Sequence, residues 1–118
     1  MKRILYVEDN PDTASAVKII LSGQGYSVET AANGEEGIAK ALGSQFDLIL
    51  LDVMLPDMSG WDIYAKIKTK VNAKYAFLSA IPVSTERMAQ LLREGVSDYI
   101  TKPFAKADLI ERVKKILV

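Results

Sequence analysis

Short, fully apolar runs alternate along this chain with longer stretches in which apolar residues recur every three or four positions. The first run, Ile4-Leu5-Tyr6-Val7, stops at Glu8-Asp9-Asn10-Pro11. A brief apolar run bounded by polar residues reads as a strand buried on both faces. Pro11 suits the first turn of a helix. Ala14, Val17, Ile20 and Leu21 then follow at helical spacing, and Gly23 and Gly25 end the helix. Tyr26 to Ala31 alternates as a second strand, and Asn33-Gly34 marks a turn into a short helix from Glu35 to Leu42. Phe46 to Leu51 contains Leu48-Ile49-Leu50-Leu51, the most apolar run of the chain, and reads as the central strand, with Asp52 where it ends. Leu55 to Gly60 is a loop before a helix over Trp61 to Thr69. Tyr75 to Leu78 is a fourth strand ending at Ser79-Ala80. Ser84 or Thr85 caps a helix to about Arg93, with Gly95 beyond its end. Asp98 to Thr101 is a short fifth strand, and Ala107 to Leu117 a final helix with Leu109, Ile110, Val113 and Leu117 as its buried stripe.

Five repeats of strand then helix predict an α/β architecture. The expected form is a five-stranded parallel sheet, doubly wound as (βα)5, in a single domain over residues 1–118. Right-handed crossovers leave few topologies. In open sheets of this kind ligands bind beyond the carboxyl ends of the strands, so the side chains at those ends carry the functional question.

Composition removes several classes of function. Fifteen basic residues balance fifteen acidic ones, so the basic footprint of a nucleic-acid binder is absent. There is no Cys and no His, which excludes disulfides, thiolate or imidazole metal sites, cysteine nucleophiles and histidine acid–base chemistry. Met1-Lys2-Arg3 leads into an apolar run that acidic residues soon interrupt, unlike a secretory signal. No apolar stretch approaches the roughly 20 residues that span a bilayer. The expectation is a cytoplasmic domain with no membrane and no direct nucleic-acid partner.

The polar residues at the strand ends are Glu8 and Asp9 after the first, Asp52 after the third, Ser79 after the fourth and Lys102 after the fifth. Three converging carboxylates repel one another, and either shift their pKa values upward or bind a cation. All-oxygen ligands suit a hard ion such as Mg²⁺. With Lys102 opposite and a hydroxyl nearby, such a site is equipped to bind a phosphoryl group, and Asp52 is the nucleophile available to receive one. Taken singly, each residue also has an ordinary reading: Glu8 and Asp9 as turn and cap, Asp52 as a loop-capping carboxylate, Ser79 as a structural hydroxyl, Lys102 as a surface charge. Joint placement at four strand ends is hard to obtain from capping needs alone.

The stretches Ile4-Leu5-Tyr6-Val7-Glu8-Asp9-Asn10, Leu50 to Gly60, Leu78-Ser79-Ala80 and Tyr99-Ile100-Thr101-Lys102-Pro103-Phe104 resemble those of response-regulator receiver domains of two-component signalling, across essentially the whole chain. The resemblance implies the flavodoxin-like, CheY-like fold and a role for each matching residue. Glu8 and Asp9 match the acidic pair that holds Mg²⁺, directly or through water. Asp52 matches the phosphoacceptor, and Met54 lies where a backbone carbonyl serves as a metal ligand. Ser79 matches the hydroxyl that bonds the phosphoryl oxygen, and Lys102 the lysine that pairs with it, followed by a cis peptide to proline. Tyr99 matches the aromatic whose rotamer follows phosphorylation. The implied donor is a phosphohistidine on a histidine kinase or phosphotransfer protein, acting in trans because this chain has no His. Such a domain is no enzyme in the ordinary sense, although it catalyses its own phosphorylation and dephosphorylation. Its output is a changed face of the fourth helix, fifth strand and fifth helix, open to an effector or to a homodimer. Asp98 and Arg112 match a pair that bridges subunits in receivers attached to winged-helix domains, whereas Met88 stands where a second pair needs a basic residue, which leaves Asp108 without its usual partner. Met54 and Ile81 are placed to screen the acyl phosphate from water, which predicts a long-lived phosphorylated state.

Three rivals fit less well. A haloacid-dehalogenase-type phosphatase needs a second Asp where Met54 stands. A flavodoxin-like cofactor carrier needs a hydroxyl- and glycine-rich loop where Glu8-Asp9-Asn10-Pro11 stands. A receiver-like module that escapes phosphorylation usually lacks one of the acidic residues, the acceptor or the lysine, and all are present here.

Overall fold

Leu48-Ile49-Leu50-Leu51 has no face turned to solvent, and in the computed structural model, which describes residues 1–118, it is the middle of a five-stranded sheet. The elements are β1 (Arg3–Val7), α1 (Pro11–Ser22), β2 (Ser27–Ala31), α2 (Gly34–Gly43), β3 (Leu48–Leu51), α3 (Gly60–Ile67), β4 (Lys74–Ser79), α4 (Thr85–Arg93), β5 (Val96–Thr101) and α5 (Lys106–Ile116). The strands pair in parallel in the order β2-β1-β3-β4-β5. The order reverses beside β1, which sets β1 and β3 next to each other and opens a crevice at their carboxyl ends.

The period of two along each strand divides the core. Leu5, Val7, Ile49, Leu51, Phe77 and Tyr99 point to the face covered by α2, α3 and α4. Ile4, Tyr6, Leu48, Leu50, Leu78 and Ile100 point to the face covered by α1 and α5. The two clusters hold the buried apolar side chains, whose removal from water is the main favourable term in folding. No helix is long and apolar enough to cross a membrane.

Local chemistry accounts for most element boundaries. Asn10 caps α1 by accepting the N–H groups of Asp12 and Thr13, each at 3.0 Å. Ser59 and Asp62 form a reciprocal capping box at the start of α3. Of the two candidate caps for α4, Ser84 is the one used, accepting the Arg87 N–H at 3.1 Å. Some boundaries move from the sequence expectation. Asn33 is the N-cap of α2 and accepts the Glu36 N–H, so the helix begins at Gly34 rather than Glu35. β5 begins at Val96, two residues early, because Gly95 (φ +101°) turns the chain directly onto β4. β3 begins at Leu48, two residues late. Asp47 is tied instead to the start of β1, its carboxylate accepting the Arg3 N–H at 2.8 Å, and Phe46 packs beneath the Arg3 guanidinium.

Candidate functional site

The backbone ladder runs one residue past three of the strands. Glu8 N–H bonds to the Ala31 carbonyl (2.9 Å), Asp52 N–H to Val7 (3.1 Å) and Lys102 N–H to Ser79 (2.8 Å). Glu8, Asp52 and Lys102 therefore keep the strand alternation and continue the side of Tyr6, Leu50 and Ile100. Ser79 and Tyr99 continue the opposite side, next to α4. The charged group and the hydroxyl group of the site are thus sorted by parity onto different faces of one sheet.

Glu8, Asp9 and Asp52 bring carboxylate oxygens within 4.8 Å of one another. Glu8 and Asp52 are buried and Asp9 is exposed. The Glu8 carboxylate is held by three donors: the Tyr6 hydroxyl (2.7 Å) and the Lys102 ammonium on Oε1, and the Asn10 N–H (3.2 Å) on Oε2. Asp52 accepts the Met54 N–H on Oδ1 (3.2 Å) and the Lys102 ammonium on Oδ2 (3.0 Å). Burial of Lys102 works against its charge. Hydrogen bonds to Glu8 and Asp52 and the charges of both outweigh it, holding the ammonium above its ordinary pKa. Burial, and then the neighbouring Glu8 carboxylate, push the Tyr6 phenol well above its usual range, so it is a standing donor.

One ammonium faces three carboxylates, and every donor atom on offer is oxygen. Excess negative charge with oxygen ligands and one exposed, unpaired member fits a hard divalent cation such as Mg²⁺. Met54, in the loop after β3, projects its side chain into solvent (64% exposed), as Ile81 does in part. The loop closes tightly: Gly60 N–H bonds to the Val53 carbonyl (2.8 Å), and a Cβ on Gly60 would overlap the Asp52 carbonyl oxygen. The peptide between Lys102 and Pro103 is cis.

Ser79 and Tyr99 meet at one residue, Ile81. Ser79 Oγ accepts the Ile81 N–H (3.3 Å), and the Tyr99 hydroxyl donates to the Ile81 carbonyl. The Tyr99 ring is turned inward, stacked on Trp61 and Phe77 at 6.1 and 6.0 Å between centroids. Arg87 of α4 lies over the Trp61 ring, 5.1 Å from its centroid. The loop leading into α4 is therefore tied to the site through Ile81.

Two participants escaped the sequence reading. The sequence pattern marks Tyr6 only as an apolar strand residue, although it stands two positions before Glu8 and so shares its face. The pattern places Asp57 inside a loop, whereas its carboxylate accepts the N–H groups of Gly34 (2.8 Å) and Glu35 (2.9 Å), fastening the loop after Asp52 to the start of α2. No local signal marks that contact. Asp108, with Met88 in place of its usual basic partner on α4, pairs within its own helix. Arg112 lies 3.2 Å from Asp108 one helical turn away and 3.3 Å from Asp98, so all three charges pair within the chain.

Known proteins match this geometry closely. The family model for the response regulator receiver domain matches residues 4–114. The response regulator ArlR of Staphylococcus aureus is 36% identical over 117 residues, covering 99% of this chain and 53% of its own length. The chain thus spans about half the length of the curated relatives it matches. Among solved structures, a CheY-like receiver domain protein from Methanospirillum hungatei aligns with a TM-score of 0.88 at 37% identity, covering 99% of this chain and 94% of its own. TrrA of Thermotoga maritima, solved in complex with Mg²⁺ and BeF, aligns at 0.84 and 36% identity, covering 99% of this chain and all of its own.

Proposed function

The chain belongs to the response regulator receiver family, and from that premise we propose that Asp52 accepts a phosphoryl group from a phosphohistidine on a histidine kinase or phosphotransfer protein. The observation that carries the reading is the buried Asp52 carboxylate. It stands within reach of two further acids and 3.0 Å from a lysine ammonium that also contacts Glu8.

Glu8, Asp9 and Asp52, with the Met54 carbonyl, would hold Mg²⁺, which would neutralise part of the charge on the incoming group. Asp52 supplies the nucleophilic oxygen. A P–O bond forms to it as the P–N bond to the donor imidazole breaks, and the electron pair and a proton stay with that imidazole. Lys102 turns from the carboxylates to a phosphoryl oxygen. The chain's contribution is positioning and electrostatics, as in phosphoryl transfer generally, and in this limited sense it catalyses its own phosphorylation and later hydrolysis.

The product adds about −1.5 to −2 charge and new acceptor oxygens. Ser79 Oγ, which now accepts the Ile81 N–H, turns to donate to one of them, and the loop into α4 shifts. Tyr99 follows the Ile81 carbonyl, so the balance between two packings changes. The surface that reads this out is the groove of about 700 Å³ between α4, β5 and α5, lined by Met88, Leu92, Tyr99 and Arg112 among others. A downstream effector or a second copy of the chain would bind there. The activity belongs to a cytoplasmic phosphorelay in which this chain acts as one receiver domain.

Incubation with acetyl phosphate and Mg²⁺ tests the proposal. The wild type gains one acid-stable, base-labile phosphoryl group by intact mass, and Asp52→Asn gains none. Stoichiometric labelling of Asp52→Asn would overturn the assignment.

A further inference from the structure

Lys102 serves two oxygens that an incoming phosphoryl group would draw it away from. Its ammonium now contacts Glu8 Oε1 and Asp52 Oδ2. In the proposed function, on which this inference rests, it moves to the phosphoryl oxygens. Glu8 does not move with it: its side chain is 2% exposed and cannot exchange the lost donor for bulk water. A cation held with Asp9 and Asp52 would offset the charge of Glu8, but Oε1 still loses one of its two hydrogen-bond donors, and a buried acceptor left short of a donor carries a desolvation penalty. That penalty would oppose the transfer.

Tyr6 is placed to remove it. Its ring is fully buried on β1, between Thr30 and Leu50 in register, and packs with Ile4, Val17 and Leu21. Its hydroxyl has one partner, Glu8 Oε1, at 2.7 Å. A phenylalanine would fill the same apolar space, so packing alone does not call for the oxygen. Because the ring is fixed in the core, the hydroxyl cannot follow Lys102. It stays on Oε1 while the Asn10 N–H stays on Oε2.

We propose that Tyr6 is a positioning residue of the acceptor site, whose hydroxyl keeps the buried Glu8 carboxylate hydrogen-bonded when Lys102 leaves it for the phosphoryl group. The contribution of Tyr6 is therefore largest in the loaded state. In the free state Lys102 shares the same oxygen, and loss of the hydroxyl is partly covered.

Calorimetric titration separates the two states. Beryllofluoride in saturating Mg²⁺ stands in for the phosphoryl group, and Mg²⁺ alone probes the free site. Tyr6→Phe should weaken beryllofluoride binding about tenfold, the size expected for one hydrogen bond to a buried charge, and weaken Mg²⁺ binding less than about twofold. In a Glu8→Gln background the same substitution should add little. Equal losses for both ligands, as a merely structural role would give, or no loss for beryllofluoride, would overturn the inference. If wild type itself fails to bind beryllofluoride, the functional reading fails and this inference with it. Should Tyr6→Phe not fold, the buried Tyr6 hydroxyl proton of the wild type gives a second measurement by NMR. It should move to lower field on adding Mg²⁺ and beryllofluoride as Tyr6 becomes the principal donor to Oε1, and an unchanged or upfield signal would overturn the inference.

Discussion

Lys102 Nζ lies 3.0 Å from Asp52 Oδ2 while it is hydrogen-bonded to Glu8 Oε1, so one cation bridges two carboxylates that are almost closed to solvent. Asp9, the third acid, is left open to water. The free site is held together by the same ammonium that the proposed reaction must release.

Lys102→Met tests that bridge through stability. It leaves Glu8 and Asp52 facing each other without a counter-charge. Removing one partner of a buried pair typically costs about 3–5 kcal/mol, and the partial exposure of Lys102 lowers the expectation to about 2–3 kcal/mol. Urea unfolding in the presence of a chelator measures the loss. Mg²⁺ should then stabilise the variant by more than it stabilises the wild type, because the ion replaces the missing positive charge. Equal stabilisation of the two proteins would contradict a cation site built on the carboxylates that Lys102 bridges.

The parts of the site differ in how far the sequence disclosed them. Short apolar runs ending in Glu8, Asp52, Ser79 and Lys102 are local patterns, and alternation of strand and helix suffices to put all four at one edge of a parallel sheet. Caps at Asn10, Ser59 and Ser84 follow from side chains that accept nearby N–H groups. Contacts that cross the sheet are another matter. Lys102 meets Glu8 across two intervening strands, and Asp57 reaches α2 from a loop more than twenty residues away in the chain. Such pairs depend on crossover geometry, which periodicity does not encode. Tyr6 is legible in principle, since a period of two aligns it with Glu8, but its apolar neighbours mask the role of its hydroxyl.

Gly60→Ala should damage the site from behind. An added Cβ would overlap the Asp52 carbonyl oxygen and stand 2.9 Å from the Asp52 carbonyl carbon and 3.1 Å from Val53 Cα. These are backbone atoms at the end of a buried strand, so they yield only by moving Asp52. A loss of about 2–3 kcal/mol is expected, with slower labelling by acetyl phosphate. Gly43→Ala is the control: nothing lies within 4 Å of its Cβ, and the change at the end of α2 should be neutral or gain up to about 1 kcal/mol. Similar losses for the two variants would refute the steric account.

Asp57 gives a pH dependence of defined sign. The N–H of Gly34, then that of Glu35, lower its pKa below the ordinary 3.8. A carboxylate whose folded pKa lies below its unfolded one stabilises the fold above the unfolded value, and that contribution disappears as pH falls through the folded value. Asp57→Asn should therefore melt below the wild type at neutral pH, and the gap should close as pH drops below about 4. Thermal unfolding from neutral to strongly acidic pH follows it. A gap that stays constant throughout would mean that shape, not charge, fastens the loop to α2.

Association through α4, β5 and α5 should be weak until the acceptor site is filled. Arg112 already pairs with Asp98 at 3.3 Å and Asp108 at 3.2 Å, and its guanidinium also donates to the Tyr99 carbonyl at 3.3 Å. A dimer that used these charges between chains would exchange each bridge for one already present. Exposed pairs of this kind contribute only about 0–1 kcal/mol, so the exchange adds little net energy. The driving force has to come from Met88 and the half-exposed Leu92 on α4, and their presentation depends on where the Ile81 loop sets that helix. Sedimentation velocity should show monomer without beryllofluoride and a shift toward dimer with beryllofluoride and Mg²⁺. Leu92→Ser should reduce that shift more than Arg112→Gln does. A dimer of equal strength with and without beryllofluoride, or one abolished by Arg112→Gln and untouched by Leu92→Ser, would reject this ordering of forces.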